Sequence, residues 1–216
     1  MTTNLNNKWL MPLSIAIMLV VSLVLYPSLP AEMPTHWNIH GEVDGTAPKL
    51  IAVLIMPVLA IVLYTALTVL PNFDPRRESY EKFAPSYQRV RSALVLFAVG
   101  MHIITLTQYD NPQAVTRLIM FAVSLLFAVI GNEMGRFRPN SFAGIRTPWT
   151  MADERVWQKT HRVGARWFVG MGVINMIAAL TLPLVAMFVV LMVTVLGVTI
   201  GLLIYSYLVY RRINIV

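Results

Sequence analysis

From Leu10 to Tyr210, long apolar runs alternate with short polar segments. A run of roughly 18 or more apolar residues is long enough to cross the hydrocarbon core of a bilayer. The pattern predicts six such spans, at roughly 9–27, 50–70, 91–109, 114–131, 165–182 and 184–209. Pro, Asn and Gly punctuate them at Tyr26-Pro27, Leu70-Pro71-Asn72, Asp110-Asn111-Pro112 and Leu182-Pro183. The turns after the third and fifth spans are so short that those helix pairs are expected to be antiparallel hairpins. The expected fold class is therefore all-α: a polytopic bundle of about six transmembrane helices. Lys8 precedes the first apolar stretch as in a secretory signal, but the stretch is longer than a usual signal core and Tyr26-Pro27-Ser28-Leu29-Pro30 offers no small-residue cleavage pattern. It is read as a retained span.

Composition agrees with this pattern and charge gives it a direction. The chain is 57% hydrophobic and only 12% charged, about half the charged fraction of a soluble domain. Its net charge of +7 would suggest nucleic acid if the cations shared a soluble face. They do not. With the N-terminus inside, the cytoplasmic side receives Lys8, the cluster Arg76, Arg77, Lys82, Arg89 and Arg91, the run from Arg136 to Arg166, and Arg211 and Arg212. Only Lys49 and Arg117 remain outside, which is the bias of the positive-inside rule. The charge predicts orientation, with both termini cytoplasmic and anionic lipid as a neighbour, and no direct nucleic-acid contact. There is no cysteine, so disulfides and thiolate metal sites are excluded.

Two connectors are long enough to carry function. The outer one, Pro27 to Lys49, contains His36, His40, Glu42 and Asp44, donors that could form a mixed nitrogen and oxygen site of the kind zinc accepts. Four-residue spacing converges two histidines only on a helix, however, and Pro34, Gly41 and Gly45 favour turns. The alternative is that the histidines and Asn38 cap turns while Trp37 anchors at the headgroup level. The expectation is no cofactor, with zinc at this loop as the competing possibility.

The inner connector runs from Gly131 to Arg166. Thr150 followed by Asp153 resembles a capping box, predicting a helix from about Met151 that lies at the cytoplasmic interface before entering the fifth span. Trp157, His161 and Gly164 share one of its faces, with Arg155, Lys159, Arg162 and Arg166 around it. Inside the spans, His102 and Asn175 are the notable polar groups, each expected to make an interhelical hydrogen bond. No phosphate-binding glycine loop, nucleophile elbow or paired-histidine protease motif is present, which disfavours enzymes of those types.

The inner loop carries a resemblance. Gly131-Asn132-x-Met134-Gly135, then Arg138-Pro139-Asn140-x-Phe142-x-Gly144-Ile145-Arg146-Thr147-Pro148-Trp149-Thr150, then Trp157-x-x-Thr160-His161, resembles the signature of the SdpI family of immunity proteins. The outer Pro34-x-His36-x-Asn38-x-x-Gly41-x-x-Asp44-Gly45 is similar to a small uncharacterised domain that often precedes it. The resemblance divides the chain into 1–90, a two-span unit with the outer His/Asp loop, and 91–216, a four-span unit with the Arg/Trp loop 131–166. It implies a bacterial cytoplasmic-membrane protein that protects against a secreted, membrane-active peptide toxin, and that in some relatives also holds a cytoplasmic winged-helix repressor at the membrane. On this basis Asn132, Arg138, Asn140, Arg146, Thr147, Trp149, Trp157 and His161 are the expected cytoplasmic functional surface, and no catalytic residue is expected. The competing classes are a metal-dependent membrane enzyme acting on a peptide or lipid through the outer loop, and a small transporter.

Overall fold

A computed structural model describes residues 9–214; Lys8, counted in the charge bias, and residues 215 and 216 lie outside them. Helix α1 (Leu10–Leu25) leads through a short 3₁₀ turn into two antiparallel strands, β1 (Glu32–Trp37) and β2 (Val43–Pro48). Helix α2 (Lys49–Val69) follows directly. Two 3₁₀ segments then lead to α3 (Ala84–Thr107), and α4 (Pro112–Met134), α5 (Pro148–Ala152), α6 (Glu154–Thr181) and α7 (Leu184–Asn214) complete the chain. Six of these helical segments are long and apolar enough to cross a membrane. The protein is an all-α, multi-pass membrane protein. The short connections 108–111 and 182–183 fold α3 on α4 and α6 on α7 as antiparallel pairs.

Two helices extend beyond their hydropathy limits for the same reason. The third span is continuous from Arg77 and the fifth from Glu154, where Arg, Lys and Glu lower hydropathy without disfavouring helix. The helix expected to lie at the interface is thus the first part of α6 itself, preceded by the single turn of α5. The start is also divided: Thr147 caps α5 in a reciprocal box with Thr150, Pro148 fills the first helical position, and Asp153 separately accepts from the Arg155 N–H to cap α6.

Outward-facing Leu, Ile and Val cover the spans, as a lipid-facing surface requires. The interior is narrow. Helices α4 and α6 pack most extensively, and a Cβ at Gly131 or Gly172 would fall within 3 Å of the partner helix backbone. Small residues at that crossing let the two backbones meet. Met11, Ile15, Met18, Ala60, Val95 and Ala98 join α1, α2 and α3. Two further interhelical links are polar: His102 Nε2 meets Ser22 Oγ at 2.8 Å between α3 and α1, and Asn175 Nδ2 donates to Thr194 Oγ1 at 2.7 Å between α6 and α7. Both are the bonds expected from the sequence.

The alternating spans give the bundle two unlike ends. The hairpin lies at one, where its turn brings Gly41 against Thr116 of α4 and Leu184 of α7. At the other lie the segments 70–83 and 135–153 and nearly all the arginines.

Candidate functional site

At the arginine-rich end, residues 135–150 form a tightly bonded loop. Asn140 is fully buried: its Oδ1 accepts from the N–H groups of Phe142 (3.0 Å) and Ala143 (2.7 Å), and its Nδ2 donates to the carbonyls of Arg138 and Ala143. Such an Asx turn bends the segment around Asn140. Trp157 and His161, one helical turn apart on α6, stack with ring centroids 4.0 Å apart. Trp157 Nε1 donates to Phe137 O, and His161 Nε2 accepts from the Ile145 N–H at 2.9 Å. The other imidazole nitrogen faces the Trp157 carbonyl at 2.9 Å, so the neutral Nδ1–H tautomer satisfies both bonds. Gly144, at φ +118°, passes over this pair; a Cβ there would run into His161 Nε2 and the Trp157 ring. Thr147 Oγ1 reaches Ser206 Oγ on α7 at 3.0 Å.

Two carboxylates anchor this loop, and the sequence singled out neither. Asp74, buried in the connector after α2, accepts from Ser141 N (2.7 Å), Ser141 Oγ (2.9 Å), Arg76 N (2.8 Å) and Tyr80 Oη (3.0 Å). Burial pushes its carboxyl pKa up, but these four donors outweigh it and hold the group below the ordinary aspartate value. Glu133 is buried at the end of α4, paired with Arg89 Nε at 2.8 Å and Arg136 Nη1 at 3.1 Å. Both carboxylates lacked a sequence signal because the partners that tie them to other elements are distant: Arg89 lies 44 positions from Glu133 and Ser141 lies 67 from Asp74. Half-buried Asp153 is also held well below the usual carboxylate range, chiefly by the Arg155 guanidinium.

The eight residues expected at this surface therefore separate. Asn140, Thr147, Trp157 and His161 are buried and shape the loop; Asn132 and Arg146 are exposed, and Arg138 and Trp149 are half-buried. Trp149 packs on Tyr207 with centroids 5.1 Å apart. Arg138 also lines a polar cavity of about 270 Å³ with Arg76, Lys82, Met151 and Glu154.

At the opposite end, Asn38 turns the hairpin, its Oδ1 accepting from His40 N and Glu42 N and its Nδ2 donating to Glu42. His36 pairs with Asp44 at 2.5 Å across a bulge, and His40 projects from the exposed turn. Among the described residues no three of His, Asp and Glu gather as metal ligands. The four zinc candidates are instead split between the His36–Asp44 pair, Glu42 on Asn38, and a separate His40. Trp37 is half-buried, and its indole N–H is buried without a partner. Beneath the hairpin a largely apolar cavity of about 590 Å³ extends between α2, α3, α4 and α7, with Met56, Met101, His102, Met120 and Met187 in its wall.

The family model described as the SdpI/YfhL protein family matches residues 136–206. This segment belongs to the SdpI/YfhL family. It contains the bonded loop after Gly135, helices α5 and α6, and most of α7. A second model, a domain of unknown function (DUF1648), matches residues 13–61, which hold α1, the hairpin and the first half of α2. Over 195 residues the chain is 24% identical to the Immunity protein SdpI of Bacillus subtilis, covering 90% of this chain and 91% of that protein. Over 43 residues it is 40% identical to the uncharacterized membrane protein YbgB of the same organism, covering 20% of this chain and 47% of YbgB. No solved structure matches.

Proposed function

We propose that the chain is a non-enzymatic membrane immunity protein that gives resistance to a secreted, membrane-active peptide toxin. The observation that carries this is the near end-to-end similarity to Immunity protein SdpI, which takes in the hairpin as well as the SdpI/YfhL segment. The arginine-rich end faces the cytoplasm in this proposal and the hairpin faces outward, as the positive-inside bias favours. Toxin then arrives at the hairpin end. The finer part of the proposal is that the opposite end signals its arrival by holding a cytoplasmic winged-helix repressor. Asn132, Arg138, Arg146 and Trp149 form the accessible part of that surface, and the buried Asn140, Thr147, Trp157 and His161 fix its shape.

Expression in a toxin-sensitive strain, challenged with candidate killing peptides, tests the immunity role. Wild-type protein should raise survival, and Arg146→Ala should abolish protection or repressor capture at equal membrane abundance, since Arg146 is exposed and makes no bond that folding needs. Unprotected cells with correctly inserted wild-type protein would remove the immunity reading, and full protection and capture by Arg146→Ala would remove the assigned surface.

A further inference from the structure

The cavity beneath the hairpin is bordered by six consecutive residues, Pro34 to Ile39, belonging to β1 and the turn after it. Of the two edges of β1, one is open to a further strand except at Pro34, which carries no N–H. The other edge of β1 is taken by β2. Among the described residues, no hydrogen bond other than those to β2 reaches the β1 backbone. An unpaired edge of this kind is a template for an added strand. The indole N–H of Trp37, in the same wall, is a second donor without an acceptor, and a buried donor left unpaired is costly.

The rest of the wall suits apolar side chains. Met56, Met101, Met120 and Met187 come from four different helices, and methionine adapts its shape to varied apolar partners. The volume of about 590 Å³ lies within the range of sites that bury small ligands. The cavity reaches the surface at Ile55, which is exposed on α2.

We infer that this cavity binds an extended apolar peptide segment, which adds to the free edge of β1 as a third strand and places alternate side chains among the methionines. An acyl chain would fill the same apolar space but leave the strand edge and the Trp37 N–H unpaired, so the hydrogen-bonding groups favour peptide. The inference rests on the immunity proposal for its biological meaning and supplies the toxin-binding site; the binding chemistry is testable without it.

The full chain in phosphatidylcholine nanodiscs is photolabelled with a capped hexapeptide of alternating leucine and threonine, one leucine carrying a diazirine. A parallel arm uses the same peptide N-methylated at alternate amides, and another a diazirine-acyl phosphatidylcholine. The parent peptide should label β1 and the methionines of the cavity. N-methylation should reduce that labelling at least tenfold, because it blocks strand pairing and spares the side chains. Trp37→Phe should weaken labelling several-fold, and Thr105→Trp, which fills the cavity, should abolish it; Ile55→Trp at the rim replaces the latter if it fails to fold. Equal labelling by parent and N-methylated peptides, or lipid label in the cavity that the peptide does not displace, would overturn the inference. If Thr105→Trp loses peptide labelling yet still protects cells, the cavity's role in immunity is overturned while the immunity reading itself stands.

Discussion

Alanine at position 144 would meet two obstacles at once. Gly144 lies at φ +118°, a backbone region that side-chain-bearing residues rarely adopt, and the added methyl would strike the His161 Nε2 that accepts the Ile145 N–H. Relieving the clash separates the imidazole from its donor and disturbs the Trp157 stack beneath it. Backbone strain and overpacking each cost about 1–3 kcal/mol, so Gly144→Ala should lower stability by about 3 kcal/mol. Thermal unfolding in detergent measures this, and an unchanged midpoint would mean that the loop does not rest on His161. Three residues of the loop thus fix its shape: Asn140 bends it, Gly144 lets it pass over the aromatic pair, and Thr147 ties it to α7.

Asp74 acts between elements. It joins the α2–α3 connector to the loop after α4 through Ser141, and so couples the N-terminal part of the chain to the SdpI/YfhL segment. Its folded-state pKa is lower than its ordinary value near 4. The resulting stabilisation is therefore present above that ordinary value and is lost as pH falls through the lower, folded value. Asp74→Asn should remove it: an amide cannot accept on both atoms, so one of the Ser141 or Arg76 donors is left facing an NH₂ group. A loss of about 1–3 kcal/mol at neutral pH is expected, together with a shallower decline of the unfolding midpoint below about pH 4. A variant as acid-sensitive as wild type would show that the linkage lies elsewhere. Here the limits of the sequence are physical. Period and length exposed all six spans, and the RPNxFxGIRTPWT stretch marked the loop that folds at their end. Nothing local to Asp74 or Glu133 shows that Ser141 or Arg89 will reach them. Hydropathy also stopped at the charges of α6, which hid the continuity that turns Trp157 and His161 inward. In the outer loop Asn38, Gly41 and Gly45 pointed to turns, but the cavity below the hairpin is walled in part by α4 and α7, far along the chain.

At the scale of the molecule, function depends on which end faces out. The hairpin end carries Lys49 and Arg117, and Arg117 is engaged there by the carbonyls of Ala179 and Leu182 at the end of α6. The cations at the other end far outnumber these two. Held on the cytoplasmic face they meet anionic lipid, with about 1 kcal/mol gained per residue near the surface; held outside, the same charges would oppose the translocation bias. Since the chain contains no cysteine, a single introduced thiol reports on one position without background. His40→Cys, on the exposed hairpin turn, should react with a membrane-impermeant maleimide in intact cells, and Lys159→Cys, exposed on α6, should react only after lysis. The reversed pattern would place the free edge of β1 in the cytoplasm, out of reach of a peptide arriving from outside. Toxin capture at the hairpin and repressor capture at the arginine-rich end would then fail together, because both depend on the same sidedness.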